Sequence, residues 1–318
     1  MSNKEDRTGK SLFFMAPSTQ LGEDDRPRLR DAVGLISGAL ETNRVNLSPY
    51  LFTSDRIIGH VTAPIGERAG EFKAAVREGD VIVSVAGGTG AEDLVPMLDR
   101  TDYRVIRKRK PLFIGFSDFT FLLNEVYSRC GVPGILFPSL RLNEGNMGSL
   151  LSLIKGEEIG YRGSAWLSDP PDEAVSGIPI GGNLTTFVNF LNREKPPRLC
   201  WRELVLFIED IGIDLEDLHR LVAALRRHRV FRSIKGLVIG SLAEDLSAPQ
   251  GREFQDKAVS FLLAYLSGVL KKRRDRQAAL PIMLLRTFGH NITAGLPAVP
   301  IGGLVTLSPS LEIAFRLR

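Results

Sequence analysis

Only two cysteines, Cys130 and Cys200, occur in this chain of 318 residues, and they show no CxxC spacing. That excludes a disulfide framework and speaks against a cysteine zinc cluster, so no metal is expected. Long hydrophobic runs are also missing. Nothing approaches the roughly 18 consecutive apolar residues of a membrane-spanning helix, and the opening MSNKEDRTGK lacks the apolar core of a secretory signal. The expectation is a cytoplasmic protein with no membrane partner. Charge of one sign is scarce as well: a formal net charge of +4 is too mild to imply nucleic acid, although it favours small anionic substrates. Basic clusters stand at Arg107-Lys108-Arg109-Lys110, Arg226-Arg227-His228-Arg229 and Lys271-Lys272-Arg273-Arg274. They have no interleaved aromatics and no recognisable nucleic-acid module, so they read as solvated helix faces and loops.

What is present is an ordinary globular composition, 43% hydrophobic and 25% charged, on a chain longer than one core usually supports. Two domains are expected. In the first half, short apolar runs at 11–17, 44–47, 81–88 and 112–115 alternate with helical patterns at 25–41, 67–77, 91–98 and 118–130. That alternation predicts an α/β fold, a parallel sheet covered by helices, over residues 1–155. Residues 156–178 are rich in Gly, Pro and acids and read as the connection between domains. Residues 179–318 form the second domain. It has strands at 204–208, 236–240 and 282–285, helices around 215–227 and 252–270, and a terminal hairpin from 304–307 and 311–315.

Four places carry candidate chemistry. In PLFIGFSDFT, the polar pair Ser117-Asp118 closes an apolar strand and opens a helix. A strand-turn-helix of this kind thrusts a serine hydroxyl clear of the backbone and sets amides at a helix N-terminus where they can stabilise an oxyanion. The general G-x-S-x-G motif is not matched, because residue 119 is Phe. Both Ser and Asp also serve as helix caps, and spacing alone favours that role. Ala86-Gly87-Gly88-Thr89-Gly90 is a glycine loop that fits neither a dinucleotide fingerprint nor a phosphate P-loop; it reads as an anion-binding turn or simply a tight one. The strand ending Ile208-Glu209-Asp210 leaves two acids at its tip, available for chemistry, solvation or capping. Of the four histidines, His290 alone follows an apolar strand and is the best candidate general base, while His60, His219 and His228 lack that setting.

Taken in order, these pieces resemble the LD-carboxypeptidase family of serine peptidases, which includes muramoyltetrapeptide carboxypeptidase and the microcin C immunity hydrolase. The resemblance rests on Met15-Ala16-Pro17-Ser18, Glu67-Arg68, Gly87-Gly88-Thr89-Gly90 and the stretch from Leu94 to Asp99. It continues through Gly115-Phe116-Ser117-Asp118-Phe119-Thr120, Gly181-Gly182-Asn183-Leu184, Leu206 to Asp210, Gly289-His290 and Pro300-Ile301-Gly302. It implies a Rossmann-like N-terminal domain carrying the serine and a smaller β-rich C-terminal domain carrying Glu and His. It implies catalysis by Ser117, His290 and Glu209, an oxyanion hole from the backbone N–H groups of Gly88 and Asp118, no cofactor and a homodimer. The implied reaction is hydrolysis of an L,D-peptide bond in a murein tetrapeptide. The alternatives are cleavage of a peptidyl- or aminoacyl-nucleotide, and a non-catalytic protein that binds a small anion. Substrate contacts are expected from Gly87 and Thr89, and from Trp166 if a nucleobase is to be stacked. The family's glycine loop usually begins with Arg and carries a Tyr, whereas this chain has Ala86 and Thr89, which leaves the substrate's carboxylate contact open.

Overall fold

The computed structural model describes residues 9–142, 144–270, 279–290 and 296–317. The first half alternates β1 (Leu12–Met15), α1 (Arg26–Ala39), β2 (Val45–Leu47), α2 (Ile65–Glu78), β3 (Val81–Ser84), α3 (Arg100–Arg109), β4 (Leu112–Gly115), α4 (Thr120–Cys130), β5 (Gly134–Leu136) and α5 (Glu144–Ile154). The Val-Ile-Val run of β3 is buried throughout, as a parallel strand covered on both faces requires. Strands β5, β4, β3, β1 and β2 lie side by side in that order, all parallel. The order reverses between β3 and β1. The crevice beyond the carboxyl ends at such a reversal is where open α/β sheets bind ligands.

Two segments depart from the sequence reading for local reasons. Residues 91–98, expected as an α-helix, hold a 3-10 helix, Glu92–Met97, because Pro96 lacks the amide that an α-helical ladder needs there. The charged stretch RTDYRVIRKR, too polar to show a clear apolar period, folds as α3. The Asp99 side chain accepts from the amides of Thr101 and Asp102, and Lys110 closes the helix in the left-handed region. The first basic cluster is thus a helix end, and Arg226 and Arg227 close another helix; Lys271-Lys272-Arg273-Arg274 lies outside the described residues.

The second half comprises β6 (Ile159–Arg162), β7 (Ala165–Trp166), β8 (Val175–Asn183), α6 (Leu184–Asn192), β9 (Leu204–Glu209), α7 (Leu215–Arg227), α8 (Val230–Ser233), β10 (Gly236–Ile239), α9 (Pro249–Leu270), β11 (Ile282–Leu284), β12 (Val299–Ile301), β13 (Leu304–Leu307) and β14 (Glu312–Arg316). Its sheet runs β6-β14-β13-β8-β9-β10-β11-β7, with β8 to β11 parallel and the terminal β13–β14 hairpin antiparallel. The architecture is therefore α/β, a parallel-sheet N-terminal part joined to a β-rich C-terminal part. Residues 156–178, read as a connection, contribute both edge strands of this sheet and the start of β8. Strand β12 crosses back to pair antiparallel with β5 of the first sheet. Among the described residues, no helix is long and apolar enough to cross a membrane.

The two parts are stitched where α4 meets β8. The Asn124 side chain, fully buried, accepts from the Gly181 amide at 3.0 Å and donates to the Gly181 carbonyl at 2.9 Å. One turn earlier, Thr120 Oγ1 accepts from the Asn183 amide. A Cβ on Gly182 would come within 2.6 Å of that same hydroxyl oxygen, which explains the glycine pair at the end of β8.

Candidate active site

The Ser117 hydroxyl owes its position to a turn that few residues adopt. β4 ends at Gly115, Phe116 is extended, and Ser117 enters the left-handed region at φ 59° before a 3-10 turn leads into α4. A non-glycine residue held there stores about 1–3 kcal/mol of strain, which persists only where the surroundings fix it. The fixing is visible. A Cβ on Gly115 would collide with the Phe119 ring, and one on Gly87 would lie 2.6 Å from Ser117 Cβ, so glycine at both sites lets the chain close tightly around the serine.

The glycine loop after β3 is held from behind. The buried Arg68 guanidinium donates to the carbonyls of Pro17 at 2.7 Å and Gly90 at 2.8 Å, while its Nε donates to Ala63 O. Asp118 completes the frame: its Oδ2 accepts from the Ala91 amide, tying the serine turn to the glycine loop instead of capping α4. Burial is the main cause that pushes its carboxyl up to about 6, against the nearby Ser18 hydroxyl and the hydrogen bond from the Ala91 amide. Gly88, at φ 112°, passes so close to Thr19 that no side chain fits. The amides of Gly88 and Asp118 thus lie on the two loops that meet at Ser117, and Asp118 sits in a helical first turn whose N–H groups have no intrahelical acceptor.

The acid and the base come from the second half. Beyond β9, β10 and β11 the hydrogen-bond ladder continues, with Asp210 N donating to Ser241 O and Ser241 N to Phe288 O. This extension fixes the tips of β9 and β11 on either side of the end of β10. His290 Nδ1 lies 2.6 Å from Glu209 Oε2, and its Nε2 lies 2.9 Å from Ser117 Oγ. Phe116 packs on the imidazole at 4.9 Å between ring centroids. Glu209 is fully buried, whereas Asp210 is consumed structurally, accepting from Asn183 Nδ2, Ile211 N and both polar groups of Thr185. Burial would lower the His290 pKa, but the charge and hydrogen bond of Glu209 outweigh it and hold the imidazole above its ordinary value; burial raises the Glu209 carboxyl as well. A hydroxyl, an imidazole and a carboxylate in one line can relay a proton.

Ser117 and Gly88 each line two cavities. One, about 250 Å³, is walled by Ala86, Gly87, Phe116, Leu140, Arg141 and His290, among others. The other, about 460 Å³, includes Asn183, Thr185, Asp210, Ile211 and Arg220 and does not include His290. Of the expected contact residues, Gly87 and Gly88 are at the site. Thr89 is exposed and lines neither cavity. Trp166 also lines neither; it lies on an edge strand opposite Met283 and donates Nε1–H to Pro309 O, so its ring is occupied in packing. The other histidines find different partners, His228 at Asn192 and His219 against Phe261 and Tyr265. Among the described residues, no group of three His, Cys, Asp or Glu could hold a metal ion. Sequence reading missed Arg141 as a lining residue, and it met Arg68 only as part of a motif; neither burial nor convergence leaves a mark in the local pattern.

Comparison with known proteins identifies the family. Residues 13–136 match the LD-carboxypeptidase N-terminal domain and residues 176–307 the LD-carboxypeptidase C-terminal domain. A Treponema pallidum (strain Nichols) protein named "Putative carboxypeptidase" is 24% identical over 276 residues, covering 78% of this chain and 76% of its own. Two solved structures share the fold. One is MccF in complex with glutamyl sulfamoyl guanosine, with a TM-score of 0.74 and 21% identity, covering 98% of this chain and 96% of that one. The other is muramoyltetrapeptide carboxypeptidase from Oxalobacter formigenes, with a TM-score of 0.72 and 19% identity, covering 96% and 98%. With both domain matches spanning most of its length, the chain belongs to the LD-carboxypeptidase family and is a serine-type carboxypeptidase, a hydrolase.

Proposed function

We propose that the protein hydrolyses the L,D-peptide bond of a murein tetrapeptide and releases the C-terminal D-residue. The observation that carries this reading is the unbroken line from Ser117 Oγ through His290 to Glu209. Ser117 Oγ attacks the carbonyl carbon on the acyl side of the bond, and its proton passes to His290 Nε2. Glu209 holds Nδ1–H, which fixes the tautomer and stabilises the imidazolium. The oxyanion is received by the amides of Gly88 and Asp118. The C–N bond then breaks as His290 returns the proton to the departing amine, and water, activated by the same imidazole, cleaves the acyl-serine ester. The relative whose structure is a muramoyltetrapeptide carboxypeptidase supports this substrate class.

The competing reading is hydrolysis of a peptidyl- or aminoacyl-nucleotide, supported by the likeness to MccF bound to glutamyl sulfamoyl guanosine. Trp166, the side chain expected to stack the base, lines neither cavity and lends this reading no support. Cytoplasmic location and a homodimer belong to the same proposal and follow from the family resemblance. The test is a side-by-side assay of a murein tetrapeptide ending in D-Ala and an aminoacyl-sulfamoyl adenosine, with wild type and Ser117→Ala. D-Ala release that falls by several orders of magnitude in a folded Ser117→Ala supports the proposal. Faster cleavage of the nucleotide conjugate overturns the substrate assignment, and an active Ser117→Ala overturns the mechanism.

A further inference from the structure

The two cavities meeting at Ser117 are chemically unequal, and the inequality sets the direction in which a substrate lies. In acyl transfer the general acid must reach the departing nitrogen. His290 lines the 250 Å³ cavity and not the 460 Å³ one. The leaving residue therefore occupies the smaller cavity, and the acyl portion of the peptide runs into the larger.

The smaller cavity suits a single residue. Its volume is below the range of about 300–1,000 Å³ that drug-sized ligands fill, and its walls near Ser117 are the apolar Ala86, Phe116, Pro138 and Leu140. The residue released by a carboxypeptidase carries a free α-carboxylate, which loses its hydration on entering such a space unless a cation meets it. Arg141 is the one permanently cationic side chain lining this cavity. Its backbone, and the turn that precedes it, are held by three hydrogen bonds. Ser139 Oγ donates to Ser84 O at 3.0 Å, the Arg141 amide to Pro138 O at 3.0 Å, and Asn146 Nδ2 to Arg141 O at 2.9 Å. Ala86 offers only a methyl to the same space. Partial burial pulls the Arg141 pKa below its usual value, while the charge of Glu209 acts in the opposite direction.

We infer that Arg141 is a specificity-determining residue: its guanidinium receives the C-terminal carboxylate of the departing D-residue, making the protein a carboxypeptidase rather than an endopeptidase. A planar guanidinium meets a carboxylate through two parallel hydrogen bonds, which orient it as well as attract it. Orientation here means aligning the scissile carbonyl over Ser117 with the departing nitrogen beside His290 Nε2.

This inference rests on the L,D-carboxypeptidase reading, and its test separates the two. The substrates are a murein tetrapeptide ending in D-alanine and the same peptide as its C-terminal carboxamide. Wild type is expected to prefer the free acid by about 10–100-fold in kcat/KM, the worth of a charged hydrogen bond. Arg141→Ala should lose that preference by slowing only the free acid, Arg141→Gln should behave alike, and Arg141→Lys should keep part of the preference. If both substrates slow equally in Arg141→Ala, the residue acts through the triad or the fold and the inference fails. It fails too if the free-acid preference survives in Arg141→Ala and Arg141→Gln, or if wild type shows none, although the L,D-carboxypeptidase reading then stands. Wild type inactive on both peptides overturns that reading and the inference with it.

Discussion

The two sides of the site are built differently. The serine side is local: one strand end, one left-handed residue and the first turn of one helix place Ser117, with glycines at 87 and 115 clearing the space around it. The acid–base side is assembled at long range. Glu209 and His290 are brought together by the parallel pairing of β9, β10 and β11, continued past the strand ends by the bonds from Asp210 to Ser241 and from Ser241 to Phe288. A strained local turn fixes the nucleophile, while a sheet fixes the proton relay. The reaction needs both at hydrogen-bond distance, and the stitch between α4 and β8 helps to hold them there.

Breaking the acid–base side should have the larger effect. Glu209→Gln removes the charge that stabilises the imidazolium, and a loss of about 10⁴-fold in kcat is expected, as when a triad carboxylate becomes an amide. The pH profile of wild type sharpens the point. His290 must be neutral to accept the serine proton, and Glu209 holds its pKa above the ordinary imidazole value. Wild-type kcat/KM should therefore fall as pH drops through a value above about 6.5, and residual Glu209→Gln activity should show that acid limb displaced to lower pH. An unshifted limb would mean that the carboxylate does not govern the imidazole.

On the serine side, Gly87→Ala places a methyl 2.6 Å from Ser117 Cβ. A displaced hydroxyl should lower kcat by about 10²-fold with little change in melting temperature. The smallest catalytic effect is expected at the stitch. Asn124→Leu leaves the buried N–H and C=O of Gly181 without partners, at a cost of about 1–3 kcal/mol for each unsatisfied group. It should lower the melting temperature clearly and kcat only about tenfold. A stable Asn124→Leu protein would show that the halves are held together elsewhere.

What the sequence disclosed follows the same division. The strand-turn-helix around Ser117 is readable because it occupies about ten consecutive residues with an apolar run on one side and a helical period on the other. The α/β class is readable for the same reason, from runs such as Val-Ile-Val in β3. The pairing of Glu209 with His290 is not readable from spacing, because it depends on strand order, and it was anticipated only through the resemblance. The sequence leaves open whether Trp166 packs or stacks a base. Residues 156–178 lack periodicity since they hold only two short edge strands and the start of a third, so a tryptophan built into an edge looks like one in a loop. Arg141 went unremarked because a single arginine after Pro138, Ser139 and Leu140 has no local signature; only convergence of the β5 end with the glycine loop gives it a place.

The most direct test of the relay is covalent trapping. Wild type treated with a fluorophosphonate and digested for mass spectrometry should carry the adduct on the peptide containing Ser117, and a folded His290→Ala should carry almost none at the same reagent concentration. Equal labelling of Ser117 in His290→Ala, or labelling of another serine in wild type, would contradict the account.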